Sequence, residues 1–202
     1  MGPVTTDPKG EAHATPSAQH AGPHPSAFVE EVGTYGGLST DRGVVMTGKL
    51  HPWYITGIVE GEGSFCVSFS RRKRLKVGIE TRPSFSITLG KRDLQLLKRI
   101  HQYFSCGGIR YSRSDRTYKF EVRSVKEIVR KVLPHFERYP LSGAKREDFE
   151  KFARICRMVH SNLHLNRENL KEIIEIAYGM NPSGKRKYSR KELLRVLGEV
   201  KV

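Results

Sequence analysis

Long apolar runs are the first thing this sequence lacks. No stretch approaches the ~20 residues that cross a hydrocarbon core, and the first residues have neither the basic start nor the apolar centre of an export signal. A soluble, intracellular protein is expected, in the cytoplasm, the nucleoid or an organelle, not secreted and with no membrane partner. Cysteine is scarce. Cys66, Cys106 and Cys156 are odd in number, widely spaced and never in a Cys-x-x-Cys pair, which argues against a disulfide framework or a zinc site and for reduced, partly buried thiols. Tryptophan occurs once, as Trp53, and is expected to anchor packing. Acid is also short: 36 Lys and Arg face 21 Asp and Glu, for a formal net charge of +15 over 202 residues.

That charge is unevenly placed. Residues 1–48 hold only Lys9 and Arg42 against Asp7, Glu11, Glu30, Glu31 and Asp41, so residues 49–202 carry +18. The same first 48 residues hold five of the ten prolines and eight of the nineteen glycines without an apolar period. They are expected to form a disordered or weakly ordered tail, because they cannot bury enough apolar surface to offset the entropy of ordering. The basic body, 49–202, repels itself unless it meets a polyanion, which points to nucleic acid first and an anionic membrane surface second.

Periodicity organises the body. Residues 50–61 read as a helix with Pro52 in its first turn, where a missing N–H costs nothing. Phe65, Val67 and Phe69 alternate with polar residues, as in a half-buried strand. The longest alternation follows, with Val77, Ile79, Phe85, Ile87 and Leu89 on one face; Pro83 within it implies an edge position or a bulge. A basic connection, residues 71–76, joins the two. Residues 91–104 form an amphipathic helix closed by Gly107 and Gly108, residues 109–123 a second hairpin, and residues 124–133 a third helix stopped by Pro134. Three more helices are expected at 148–159, at 167–178 with Asn166 as N-cap, and at 190–197 with Ser189 as N-cap. The class is α+β, in the order αββαββα with additional C-terminal helices.

The chemistry concentrates where the first helix ends, at Glu60-Gly61-Glu62-Gly63. Gly57 and Gly61 lie four apart, on one helical face, and permit another backbone to approach closely. A carboxylate just past such a contact would meet its symmetry mate. Two acids at a helix C-terminus oppose the dipole, which makes sense if a cation binds there. His160 and His164 also stand four apart, but no Glu follows His160 and no third ligand is evident, so surface histidines are expected instead of zinc ligands.

The run from Ile55 to Phe65, ITGIVEGEGSF, resembles the LAGLIDADG motif of homing endonucleases with its Ser-Phe extension, and the similarity covers most of residues 50–160. The resemblance implies a concave antiparallel sheet that holds DNA and motif helices of two subunits packed together. It also implies a divalent cation, Mg²⁺ or another such as Mn²⁺, held at the motif's last acid. That acid is Glu62, with Gly61 beside it as the other implied metal position, although many members have Asp there. A basic residue near the phosphate is implied before the next helix: Lys145, with Arg146 as alternative. A single motif means that a homodimer supplies one acid per strand, and that the target is a long pseudo-palindrome.

The polar sheet positions are the expected DNA readers: Ser68, Ser70, Arg72, Arg74, Lys76, Glu80, Arg82, Ser84 and Ser86 in the first hairpin, and Arg110, Ser112, Lys119, Glu121 and Arg123 in the second. Seven cations against two acids is more one-sided than a merely solvated sheet face. Lys185, Arg186 and Lys187 are expected to grip the phosphate backbone. The reading is a metal-dependent, site-specific DNA endonuclease, encoded in an intron. An RNA-splicing maturase with intron RNA as partner, or a non-cleaving DNA-binding regulator, are the alternatives on the same fold.

Overall fold

A computed structural model describes residues 48–181 and 184–199; the expected tail, up to residue 47, lies outside them. The elements are α1 (Pro52–Glu62), β1 (Gly63–Arg71), β2 (Ile79–Gly90), α2 (Leu94–Phe104), β3 (Gly108–Ser112), β4 (Thr117–Val122), a composite helix α3 (Val125–Arg138), α4 (Lys145–His160), α5 (Arg167–Tyr178) and α6 (Arg190–Glu199). The fold is α+β, with the αββαββα order followed by three further helices.

The sheet is antiparallel throughout, in the order β1-β2-β4-β3. β1 and β2 pair without interruption from Gly63↔Ile87 to Arg71↔Ile79, whereas β4 reaches β2 only from Phe85 to Gly90. The outer half of β2 therefore has a partner on one side only. Pro83 sits there opposite Val67, with no bulge, so an edge position occurs inside a central strand.

The alternation of β1 is realised residue by residue: Phe65, Val67 and Phe69 are buried while Ser64, Cys66 and Ser68 are exposed. Phe65 is the hub of the core. Its ring stacks on Phe85 at 5.3 Å and meets Phe136 at 5.5 Å, Phe149 at 5.4 Å and Phe152 at 5.2 Å, joining β1 to β2, α3 and α4. Deleting such a ring from a close-packed interior costs about 3–5 kcal/mol. α2 adds Leu97, Ile100 and Phe104 from beneath.

The third helix departs from expectation. Pro134 does not stop it; the helical run continues to Arg138. Residues Ile128–Val132 form a π turn, in which the Leu133 N–H reaches back to the Ile128 carbonyl. The wider turn accommodates a proline that has no N–H and would crowd the preceding turn of an ordinary helix. Burial of Ile128, Val132, Leu133 and Phe136 holds the segment helical on both sides of it.

The late helices begin where their caps predict. Asn166 Oδ1 accepts from the N–H groups of Glu168 at 2.9 Å and Asn169 at 3.2 Å. Ser189 Oγ accepts from the Glu192 N–H at 3.2 Å, and Glu192 returns a carboxylate to the Ser189 N–H at 2.7 Å, a reciprocal capping box. α4 starts three residues earlier than expected, so Lys145 is its first residue. No helix among the described residues is long and apolar enough to cross a membrane.

Candidate active site and nucleic-acid interface

α1 passes into β1 with no residue between them. Gly63 makes this possible: a Cβ there would lie 2.4 Å from Val59 Cγ1 and 2.8 Å from the Val59 carbonyl oxygen. Glu62 is thereby fixed at the junction, one residue from the sheet and three from the Phe65 hub.

The two acids of the motif have separate environments. Glu60 Oε1 accepts from the backbone N–H groups of Ser142 at 2.5 Å and Gly143 at 3.1 Å, tying α1 to the loop before α4. Glu62 is exposed and, among the described residues, makes no hydrogen bond or ion pair. Its lone pairs are open for a cation. The expected pair of helix-end acids thus resolves into one anchor and one open carboxylate.

Lys145 lies at the end of α1, beside the motif acids. Its Nζ donates to the carbonyls of Gly63 at 2.7 Å and Val59 at 2.8 Å, and more weakly to Gly61 at 3.4 Å. Three donors meet three acceptors, so the ammonium caps the last turn of α1 instead of pointing outward. Burial pulls its pKa down, while the charges of Glu60, Glu62 and Asp148 pull it back up. Arg146, the alternative, is exposed and paired with Glu150 at 3.0 Å.

The other end of α1 is held by a polar relay. Thr56 Oγ1 donates to the Tyr139 carbonyl at 3.0 Å, which uses its only proton, so it accepts from His135 Nε2 at 3.2 Å. His135 Nδ1 is then left to accept from the Tyr103 hydroxyl at 2.9 Å. The relay is complete with a neutral imidazole, and burial pushes the His135 pKa down to about 4.

Among the described residues, the outward face of α1 is apolar and uncovered. Trp53 is 45% exposed and Tyr54 51%, and a Cβ added at Gly57 or Gly61 would meet nothing within 4 Å. Trp53 touches Tyr139 edge-on at 5.4 Å but is only partly the packing anchor expected. Trp53, Gly57 and Gly61 follow one another at four-residue spacing along one stripe.

Strand register places Ser68, Ser70, Glu80, Arg82, Ser84, Ser86, Arg110, Ser112, Lys119 and Glu121 on one face of the sheet, away from the core, and Arg123, just past β4, reaches the same face through its ion pair with Glu121. Arg72, Arg74 and Lys76 sit in the hairpin connection beyond it. Ser86 is the exception in accessibility. It lies at the sheet centre between Ser64 and Glu121 and is 6% exposed, too enclosed to reach a base edge. The two acids are clamped by cations: Glu80 by Arg72 at 2.7 Å and Arg82 at 2.8 Å, Glu121 by Arg110 at 2.5 Å, Arg123 at 2.6 Å and Lys119 at 3.5 Å. The hydrogen bonds from Arg72 and Arg82 lower the Glu80 pKa.

Of the basic triplet, Lys185 and Lys187 are exposed. Arg186 is not the free phosphate ligand expected: its Nη2 donates to the carbonyls of Ala177 at 2.6 Å and Met180 at 2.8 Å, closing the C-terminal end of α5. Cys66 faces the open side of the sheet, while Cys106 and Cys156 are buried. His160 ends α4 and His164 stands on the separate turn Leu163–Leu165, so the two share no helical face, and no cluster of three His, Cys, Asp or Glu occurs among the described residues. Sequence reasoning left out Ser64, Cys66 and Thr88, although strand alternation alone puts them on the open face. It also left out the anchoring role of Glu60, whose partners lie 82 and 83 residues away.

The LAGLIDADG endonuclease family model matches residues 55–156. The "Probable intron-encoded endonuclease 3" of Neurospora crassa is 32% identical over 134 residues, 66% of this chain but 25% of that protein, so the chain spans about a quarter of its length. The crystal structure of the homing endonuclease I-TnaI is 36% identical with a TM-score of 0.66, and the match covers 76% of this chain and all of that one. The I-LtrWI LAGLIDADG homing endonuclease bound to target DNA is 34% identical with a TM-score of 0.66, covering 70% of this chain and 47% of that one. With the motif helix, the open sheet face and the element order in agreement with these matches, the chain belongs to the LAGLIDADG endonuclease family.

Proposed function

We propose that the protein is a site-specific DNA endonuclease of the homing type, encoded in an intron, which cuts both strands of a pseudo-palindromic duplex as a homodimer. The observation that carries this reading is the pairing of an open carboxylate, Glu62, with an uncovered glycine stripe on the same helix. Two copies of α1 packed along Gly57 and Gly61 would bring two Glu62 side chains together, one per strand.

Phosphodiester hydrolysis needs an activated water and a neutralised leaving oxygen, and Mg²⁺ or another hard cation such as Mn²⁺ supplies both when bound. The donor set fits such an ion in part. Glu62 is a hard oxygen ligand with no competing hydrogen bond, and the Gly61 carbonyl is only weakly engaged by Lys145. One carboxylate and one carbonyl fall short of six oxygens, so the remainder would come from DNA phosphate, water and the second copy. Within the chain, Lys145 and Glu60 hold the last turn of α1 still, and Gly63 sets the exit of the backbone. The open face of the sheet then lies beside the scissile region, with Arg and Lys to read bases in the major groove and neutralise phosphates.

The test is a plasmid library of candidate sites incubated with the full chain and Mg²⁺, then with EDTA. Discrete double-strand cuts that disappear with EDTA are expected. Duplex binding without any cutting in Mg²⁺ or Mn²⁺ would replace this reading with that of a binding protein.

A further inference from the structure

Residues 180–181 and 184–189 lie beyond the stretch matched by the family model, and they pack against the edge strand of the sheet. Among the described residues β1 has no strand on its outer side. There Asn181 Nδ2 donates to the Phe65 carbonyl at 2.7 Å, and the Asn181 N–H donates to Asp148 Oδ1 at 3.1 Å. Arg186 then folds back, capping the carbonyls of Ala177 and Met180 with its guanidinium 4.5 Å from the centre of the Tyr178 ring. Tyr178 stacks on Phe69 of β1 at 6.4 Å and donates its hydroxyl to the Tyr188 carbonyl at 2.5 Å. Arg71, the last residue of β1, lies 5.2 Å from the centre of the Tyr188 ring.

A cleft of about 260 Å³ separates this segment from the strand. Cys66 and Ser68 of the open face form one wall, Lys185 and Lys187 belong to the other, and no carboxylate lines it. Neither lysine has an ion pair among the described residues. Six cations of α4, α5 and α6, namely Arg146, Lys151, Arg154, Arg157, Lys171 and Arg190, each have a carboxylate partner. Two ammonium groups without a carboxylate partner, that of Lys187 5.5 Å from the centre of the Tyr188 ring, stand at the rim of an acid-free cleft and are complementary to a polyanion.

We propose that residues 184–188 are a phosphate clamp that carries the DNA contact past the edge of β1, with Lys185 and Lys187 as its contacts and Arg186 as the positioning residue that holds them there. This rests on the reading of the open sheet face as the duplex site. Arg186 works through geometry that lysine cannot reproduce: one planar group bonds two carbonyls and stacks on a ring at once. A direct phosphate contact would need only the charge.

The experiment measures binding of the full chain to random-sequence duplex DNA long enough to cross the whole open face, as a function of salt. Each phosphate neutralised adds about 0.9 to the slope of log affinity against log salt. Replacing both Lys185 and Lys187 by alanine is expected to lower the slope by about 2 for each bound chain, and so by about 4 for the proposed dimer. Arg186→Lys is expected to lower it nearly as far, and adding it to the lysine pair is expected to cause little further loss, because the lysines are already displaced. If Arg186→Lys folds poorly, as judged by its thermal midpoint, Tyr178→Phe removes only the hydroxyl that holds Tyr188 and should lower the slope in the same direction. Arg186→Lys with a wild-type slope, or losses that simply add, would overturn the clamp. A lysine pair variant that binds duplex with an unchanged slope would overturn the clamp and leave the sheet reading intact, whereas a wild type that binds no duplex would overturn both.

Discussion

The α1–β1 junction and the open sheet face are held in opposite ways. At the junction, Glu60, Gly63 and Lys145 act on backbone groups over short, defined distances. On the sheet face, long and largely exposed Arg and Lys side chains meet Glu80 and the more enclosed Glu121. Exposed pairs such as those of Glu80 are worth about 0–1 kcal/mol each. The contrast separates two jobs. The group that would meet the scissile phosphate is placed rigidly, and the groups that would meet bases and backbone can rearrange on contact with DNA.

The largest expected effect comes from breaking the junction chemically. Glu62→Gln should cut cleavage by more than ~100-fold, the order lost when a charge-stabilising group is removed from an active site, while duplex affinity in a gel-shift assay stays within a few-fold. Glu60→Gln is the matched control: it weakens the tie to Ser142 and Gly143 and should slow cleavage without abolishing it.

Glycines sharpen the comparison in another way. Gly63→Ala forces a Cβ into Val59 and should cost about 1–3 kcal/mol of stability, as overpacking does, read as a lower thermal midpoint. Gly57→Leu meets open space in the single chain and should leave that midpoint unchanged. It should nevertheless abolish double-strand cutting and shift the protein to monomer in sedimentation.

His135 gives a pH signature. Its folded pKa of about 4 lies below the ordinary value of 6.5, so the unfolded chain binds the extra proton first. Its contribution to stability is full above pH 6.5, falls as pH drops from there toward 4, and levels off below. The total loss is about 3 kcal/mol. Denaturant melts of His135→Gln should show a flatter pH dependence through that window, whereas a wild-type slope would remove His135 from the account.

The smallest effect belongs to the face. Glu121→Gln releases the largely exposed Arg110, Arg123 and Lys119 and should lower the thermal midpoint only modestly, while raising affinity for non-specific duplex.

Much of this was legible in the sequence because it is written in local patterns. The odd-position apolar residues of β2, the alternation around Phe65 and the caps Asn166 and Ser189 each act within a few residues. What was not legible depends on distant partners. The Lys145 cap reaches back 82 to 86 residues, and no local pattern announces it. Pro134 was read as a helix stop because the rule assumes an ordinary turn, while buried side chains on both sides of it sustain a wider one. Arg186 was read with its neighbours as a charge run, yet the carbonyls of α5 and the ring of Tyr178 set it apart.

The most direct test of the central claim mixes the two subunit types. Wild-type chains co-assembled with Glu62→Gln chains are presented with a supercoiled plasmid bearing a selected site. If each Glu62 serves one strand across a paired α1 contact, mixed dimers will convert the plasmid to nicked circles. If the mixture yields only linear product, falling in proportion to the wild-type fraction, one chain cuts both strands and the paired-helix account is wrong.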